Sequence, residues 1–195
     1  MFDSRNTYNH DEDRTALSAE EVRAAVRQSI DGSTTAFGNL YRHFVARIYR
    51  YVLLQTRNRM NAEDITEDVF VKAFQSIQKC RGREDTFSAW LYRIAHNATI
   101  DHFRAEKRQQ TLNRSLPTGE PVAREDSDIL LDYNDTLRAI SDLPPHYRQL
   151  LLLKFVDGMD NAEIAQIMGK SAGNLRVMQM RAIRELRQRY DEGTP

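Results

Sequence analysis

Residues 161–178 read NAEIAQIMGKSAGNLRVM. Asp160 and Glu163 stand where a capping pair would, an acidic side chain at the helix mouth with a glutamate three positions on. Ile164, Ile167 and Met168 form the inner face of a first short helix. Ala165 is small, as needed where two helices cross closely. Gly169 permits the left-handed turn that ends that helix. Ser171 can cap a second helix, whose Leu175 and Met178 bury against the first. The pattern predicts a helix-turn-helix, although two helices that merely pack would also fit it. What surrounds the motif favours the first reading. Arg176, Arg181, Arg184, Arg187 and Arg189 follow against Glu185 alone, and Ser171 and Asn174 put small polar groups at the second helix's start. A recognition helix presents that end to base edges in the major groove. Arg176 is then a candidate for a bidentate contact to guanine, worth ~1–3 kcal/mol of discrimination. Arg181 and Arg184 fall beyond the bases, where phosphates position the protein without specifying sequence. The plainer reading of the run is a solvated helix face.

Outward from the motif, the whole chain reads as helix. Ser18 with Glu21 forms a capping box opening a helix to about Ser29, and Asp31-Gly32-Ser33 is a turn. Residues 34–56 carry Phe37, Leu40, Tyr41, Phe44, Ile48, Tyr51 and Val52 at spacings of three and four, one helical face. Asn61 is a candidate cap for the next helix, with Ile65, Val69, Phe70, Ala73, Phe74 and Ile77 as its buried stripe. After the polar loop at 80–85, Thr86 is a candidate cap for a long helix. That helix bears Phe87, Trp90, Leu91, Ile94, Ala95 and Ala98 and ends near Arg104. Residues 105–128 hold Pro117, Gly119 and Pro121 with little apolar content, and such a stretch reads as an interdomain linker. Periodicity returns at Ile129, Leu130, Tyr133, Leu137 and Ile140. Pro144-Pro145 breaks that helix, and another is expected over about 147–156. No segment alternates with period two. The expected fold is therefore all-α: a tail at 1–17, a helical domain at 18–104, the linker, and a second helical domain at 129–190.

Composition sets the outer limits. The 195 residues carry 28 basic and 28 acidic side chains, and that zero hides a pattern. Residues 20–104 hold 13 basic and 10 acidic groups and residues 136–195 hold nine and seven, while residues 105–135 hold four and seven. Two mildly basic blocks flank an acidic one, and local fields are what a nucleic acid meets within a Debye length of ~8–10 Å. No purely apolar run exceeds four residues (Leu150 to Leu153), far below the ~20 of a membrane span. The start, MFDSRNTYNHDEDR, lacks the apolar core of a secretory signal, which predicts a cytoplasmic protein. The single cysteine, Cys80, excludes an internal disulfide and a cysteine-based zinc cluster. Cys80 beside Lys79 and Arg81 is a weak candidate redox sensor through a lowered thiol pKa. His96 and His102 lie six apart on one helix, whereas metal ligands on one helix face stand three or four apart; His10, His43 and His146 are scattered, so no metal is expected. No phosphate-binding glycine loop, nucleophile elbow or catalytic triad pattern occurs, and no cofactor or enzymatic activity is expected.

Three blocks together carry a resemblance. AEDITEDVFVKAF (62–74), FSAWLYRIAHNATIDHFR (87–104) and the helix-turn-helix ending in RAIRELR (181–187) resemble an extracytoplasmic-function (ECF) sigma factor of the RNA polymerase sigma factor family. The likeness covers about residues 20–104 and 129–190. It implies two helical domains, sigma-2 and sigma-4, that bind core RNA polymerase through its β′ clamp helices and β subunit, read promoter DNA, assist melting without ATP, and answer to an anti-sigma factor. Residues 62–74 match the segment that docks on the clamp helices. The resemblance there implies contacts from Glu63, Asp64, Glu67, Asp68, Phe70 and Lys72. The acids also suit a helix N-terminus through its dipole, and Phe70 and Phe74 also read as core. The family usually has Gln at the position of Glu67 and Thr at that of Val69. Residues 79–104 match the reader of the −10 element, with a flipped base held near 79–86. Arg81, Arg83, Arg93, Asn97, Asp101 and Arg104 are the implied contacts. Trp90 and Tyr92 are candidate base stackers, with core the favoured reading for Trp90; a stacked base is worth ~1–3 kcal/mol. The helix-turn-helix matches the −35 reader, implying contacts from Lys170, Ser171, Gly173, Asn174, Arg176, Arg181 and Arg184. Where relatives carry Thr and then a basic or Ser-Arg pair, this chain has Asn174 and then Val177-Met178. Its base preference is expected to differ and its phosphate contacts to shift to Lys170 and Arg181. Two rivals remain open: a stand-alone helix-turn-helix regulator, and an all-helical enzyme whose catalytic cluster is not seen.

Overall fold

A computed structural model describes residues 17–113, 139–140 and 142–192. The expectations for residues 1–16, for the linker from 114 onward, and for the helix beginning near 129 lie outside the described residues. Helix α1 (Ala19–Ile30) opens with the expected capping box: the Ser18 hydroxyl accepts from the Glu21 N–H, and Glu21 reaches back to Ser18. Helix α2 (Thr34–Thr56) is capped by Ser33 and ends at Arg57, a non-glycine residue in the left-handed region with φ 55°. Helix α3 (Arg59–Ser76) starts earlier than expected. Its cap is Asn58, whose side chain accepts from the Asn61 N–H at 3.0 Å, so Asn61 receives the cap and does not supply it.

Two short 3-10 turns (Ile77–Cys80 and Glu84–Thr86) lead into α4 (Phe87–Asn113). Thr86 does not cap this helix; its hydroxyl donates back to the Arg83 carbonyl at 2.9 Å. Helix α4 also runs past Arg104 to Asn113. Residues 105–113 (AEKRQQTLN) are mostly strong helix formers, and residues 105–109 are exposed. A segment held by intrinsic propensity leaves no apolar stripe for periodicity to find. Helices α1 to α4 pack in sequence, α1 on α2, α2 on α3 and α3 on α4.

The second half begins at Pro145, whose missing N–H is harmless in a first turn, and α5 (Pro145–Leu151) continues into a π turn (Leu152–Val156). The expected single helix is thus broken in type: the Asp157 N–H bonds five residues back to the Leu152 carbonyl at 3.1 Å. Helix α6 (Asn161–Met168) has Asp160 as cap, accepting from the Ala162 and Glu163 N–H groups at 2.7 and 2.8 Å. Gly169 follows at φ 61°, the left-handed turn the sequence required. Helix α7 (Ala172–Glu192) then begins after Ser171, whose hydroxyl accepts from the Asn174 N–H at 3.3 Å. Helices α6 and α7 pack on each other, α7 also packs on α5, and no strand occurs among the described residues.

The two halves share one core. Helix α6 packs on α4 and α5 on α2. Tyr51, Leu91 and Tyr92 from the first half and Leu150 to Leu153 and Ile164 from the second are all buried in the same apolar cluster. Two buried polar side chains of the second half find partners across the seam. Arg148 donates to the Gln55 carbonyl at 3.2 Å, and the Gln149 amide donates to the Tyr51 hydroxyl at 2.8 Å. Arg57, in its left-handed cap position, pairs with Asp142 at 3.0 Å. Sequence reasoning placed a flexible linker between the halves and had no cue to this seam.

Candidate docking face and nucleic-acid interface

Helix α3 turns its acidic side chains outward. Glu63, Asp64, Glu67 and Asp68 are all exposed, while Ala62, Ile65, Thr66 and Val69 face the core. Further along the same outward side come Val71 and Phe74, 48% and 49% exposed. Phe74 therefore departs from the core position that its spacing from Phe70 suggested. Its ring stands edge-on to Phe37 with centroids 5.0 Å apart, and Tyr41 of α2, expected on the buried stripe, is 43% exposed against Phe70 at 4.8 Å. These rings line an open groove of about 570 Å³ between α2 and α3, rimmed by Glu63 and Glu67. Phe70 is buried and forms its floor, so any contact it makes is through the groove. Lys72 is exposed but does not line the groove. The missed signal was rotational: residues at three-and-four spacing cover a broad arc of a helix, and Tyr41 and Phe74 lie at the edge of that arc, where α2 and α3 leave a groove and do not close over it.

The candidate −10 residues fall in two places. Arg81 and Arg83 are exposed on the loop between the 3-10 turns. Arg81 lies 3.7 Å from Asp31 and donates to the Gln78 side chain at 3.3 Å, which ties the loop to the α1–α2 turn. Asp85 holds the other end of the loop to Arg23 at 3.1 Å. On α4, Arg93, Asn97, Asp101 and Arg104 are exposed at spacings of four, four and three, one continuous face. Arg104 pairs with Asp101 at 3.4 Å, so these two reach a ligand as a unit. Tyr92 is corrected: it is 1% exposed, its phenol raised well above its ordinary pKa by burial and by the Asp157 carboxylate, and it stacks on no exposed base. Trp90 is half-buried, packed on Phe87 at 5.6 Å.

The candidate −35 residues run from the turn before α7 to just past its middle. Lys170, Ser171, Gly173, Asn174, Arg176, Arg181 and Arg184 are all exposed, while Leu175 and Ala182 are fully buried. Sequence reasoning missed two neighbours on the same surface, Val177 and Met180, which are 48% and 63% exposed.

Two other candidates take a different form. Cys80 is buried under the loop, and burial with Glu84 nearby pushes its thiol up to about 12, opposite to the activation that Lys79 and Arg81 suggested. His96 is held below its usual pKa by burial and then by Arg93, and its Nδ1 meets the Gln149 amide. Among the described residues no three His, Cys, Asp or Glu side chains gather as a metal site, and no helix is long and apolar enough to cross a membrane.

Comparison with known proteins gives the family of the chain. Residues 40–109 match the model for sigma-70 region 2, and residues 133–186 match that for sigma-70 region 4. The ECF RNA polymerase sigma factor BldN of Streptomyces coelicolor is 31% identical over 179 residues, spanning 89% of this chain and 68% of that one. SigW of Bacillus subtilis, also an ECF RNA polymerase sigma factor, is 28% identical over 167 residues, 80% of this chain and 89% of its own. Among solved structures, CnrH in complex with the cytosolic domain of CnrY matches with a TM-score of 0.69 at 21% identity, covering 89% of this chain and 99% of that one. RpoE of Bartonella quintana, solved with the anti-sigma factor NepR, matches at 0.60 and 20% identity over 81% and 98%. With both sigma regions present in order, and with BldN alike over most of its length, the chain belongs to the extracytoplasmic-function sigma factors of RNA polymerase.

Proposed function

We propose that this sigma factor uses its first half, residues 18–104 extended by the rest of α4, to dock on core polymerase and read the −10 element. Residues 129–190 read the −35 element, and 114–128 tether the two. The observation that carries this is the presence of three separate outward faces on one chain: an acid-rimmed aromatic groove on α2 and α3, a polar and cationic face on α4, and an arginine-flanked recognition helix. The groove suits a basic helix with apolar ridges, which fits the β′ clamp helices, with the β subunit meeting the second half. The α4 face suits a melted strand, and unpairing is offset by binding the opened bases. Sigma factors are initiation factors; the polymerase performs the chemistry. Elements named for positions −10 and −35 lie about 25 base pairs apart, or about 85 Å at ~34 Å per turn. Helix α7 packs on α6 and α6 on α4, so with the halves joined the two readers stand too close to serve both elements at once, and the seam parts on the promoter. An anti-sigma factor of the kind solved with RpoE would act on the same chain in the cytoplasm. Run-off transcription with core enzyme from the host on a randomised promoter library tests the reading. Specific starts sharing two spaced motifs are the expected result; DNA binding by the chain without polymerase recruitment would instead mark a stand-alone regulator.

A further inference from the structure

Helix α7 carries an apolar line where a DNA reader usually carries polar groups. Gly173, Val177, Met180 and Arg184 follow at spacings of four, three and four, which at 3.6 residues per turn is one line along the helix. Leu175 and Ala182, both at 0% exposure, lie on the opposite side against α5 and α6. The line is therefore the outermost part of the helix. Val177 and Met180 are 48% and 63% exposed on it, and Gly173 adds no bulk. The cations stand to either side: Arg176 on one flank, Arg181 with Asn174 on the other. A helix seated in the major groove meets base edges with its centre line and phosphates with its flanks. One base-edge group is apolar, the 5-methyl of thymine, and small apolar side chains are its usual partners.

We infer that Val177, with Met180 one turn on, reads thymine methyl groups in the −35 element, and that Arg176 and Arg181 mainly hold the flanking phosphates. This rests on the proposed −35 role and adds the base chemistry it selects. Charge selects the occupant: two exposed apolar groups framed by arginines suit the methyl-lined floor of a polyanionic groove.

The test uses full-length protein with core polymerase and promoters selected from a library. Each −35 thymine is replaced in turn by deoxyuridine, which lacks only the methyl. At one or two positions holoenzyme binding should weaken about threefold to fourfold, the effect of one buried methyl at ~0.8 kcal/mol. Val177→Ala should bind the thymine promoter as weakly as wild type binds the deoxyuridine one, and should be indifferent to deoxyuridine at that position, with core affinity unchanged. Equal binding to thymine and deoxyuridine at every position overturns the inference, as does a selected −35 element without thymine. Loss of core affinity in Val177→Ala also overturns it and makes the patch a protein contact. If no −35 motif is selected at all, the functional reading itself fails first.

Discussion

The Gln149 side-chain amide donates to the Tyr51 hydroxyl at 2.8 Å, joining residues 98 positions apart in a buried site between the two halves. The same amide nitrogen meets Nδ1 of His96 on α4. One glutamine thus bridges two helices of the first half. Leaving a buried donor or acceptor unpaired costs about 1–3 kcal/mol. Gln149→Ala should therefore lower unfolding free energy by about that much, and Tyr51→Phe by about 1 kcal/mol. Urea denaturation of the full chain measures both; an unchanged midpoint for Gln149→Ala would show that this hydrogen-bonded bridge contributes nothing to stability.

His96 makes that seam sensitive to acid. Its folded-state pKa is depressed, by burial first and Arg93 second, so below the ordinary value of 6.5 the unfolded chain binds a proton that the folded chain resists. Stability from this site is present above about pH 6.5 and is lost as pH falls through the unfolded value toward the folded one. Melting temperatures between pH 5 and 8 should fall more steeply on the acid side for wild type than for His96→Asn. Parallel curves would remove His96 as the cause.

Much of this was legible in the chain. The caps at Ser18, Asp160 and Ser171 and the turn at Gly169 are local devices that act through one or two backbone N–H groups or one φ, so sequence alone locates them. The −35 candidates sit on a motif of fixed geometry, and all of them reach the surface. What depends on rotation around a helix was harder. Phe74 and Tyr41 share the spacing of core residues yet line a groove, and Tyr92 looks like a stacker yet is interior. What depends on long-range pairing had no local signature at all, and Gln149 with Tyr51 is the clearest case.

The groove on α2 and α3 makes a two-part prediction about polymerase. Phe74→Ala should weaken core binding about tenfold, or ~1.4 kcal/mol, because half-exposed aromatics that fill a partner's pocket tend to dominate an interface. Glu67→Lys, at the groove's rim, should weaken it as well, and mainly slow association at low salt, as rim charges do. Surface plasmon resonance with immobilised core enzyme separates the two effects. Unchanged affinity in both variants would move docking elsewhere.

The recognition helix makes a complementary one. Asn174→Ala and Arg176→Ala together should reduce −35 duplex affinity in the holoenzyme by roughly one to two orders of magnitude, from ~1.5–3 kcal/mol for a hydrogen bond to a charged group such as a phosphate, while core binding persists. Filter binding against promoters with and without the −35 element reads this directly. Simultaneous loss of core binding would report a folding defect.

The seam also governs how the molecule can be dissected. A cut between residues 113 and 139 would strip α5 and α6 from α2 and α4, baring the Tyr51 hydroxyl, the Gln55 carbonyl and apolar surface that now shares a core with Leu150 to Leu153. Fragments made that way would carry sticky, unsatisfied scars, and their behaviour in isolation would describe the wound as much as the domain.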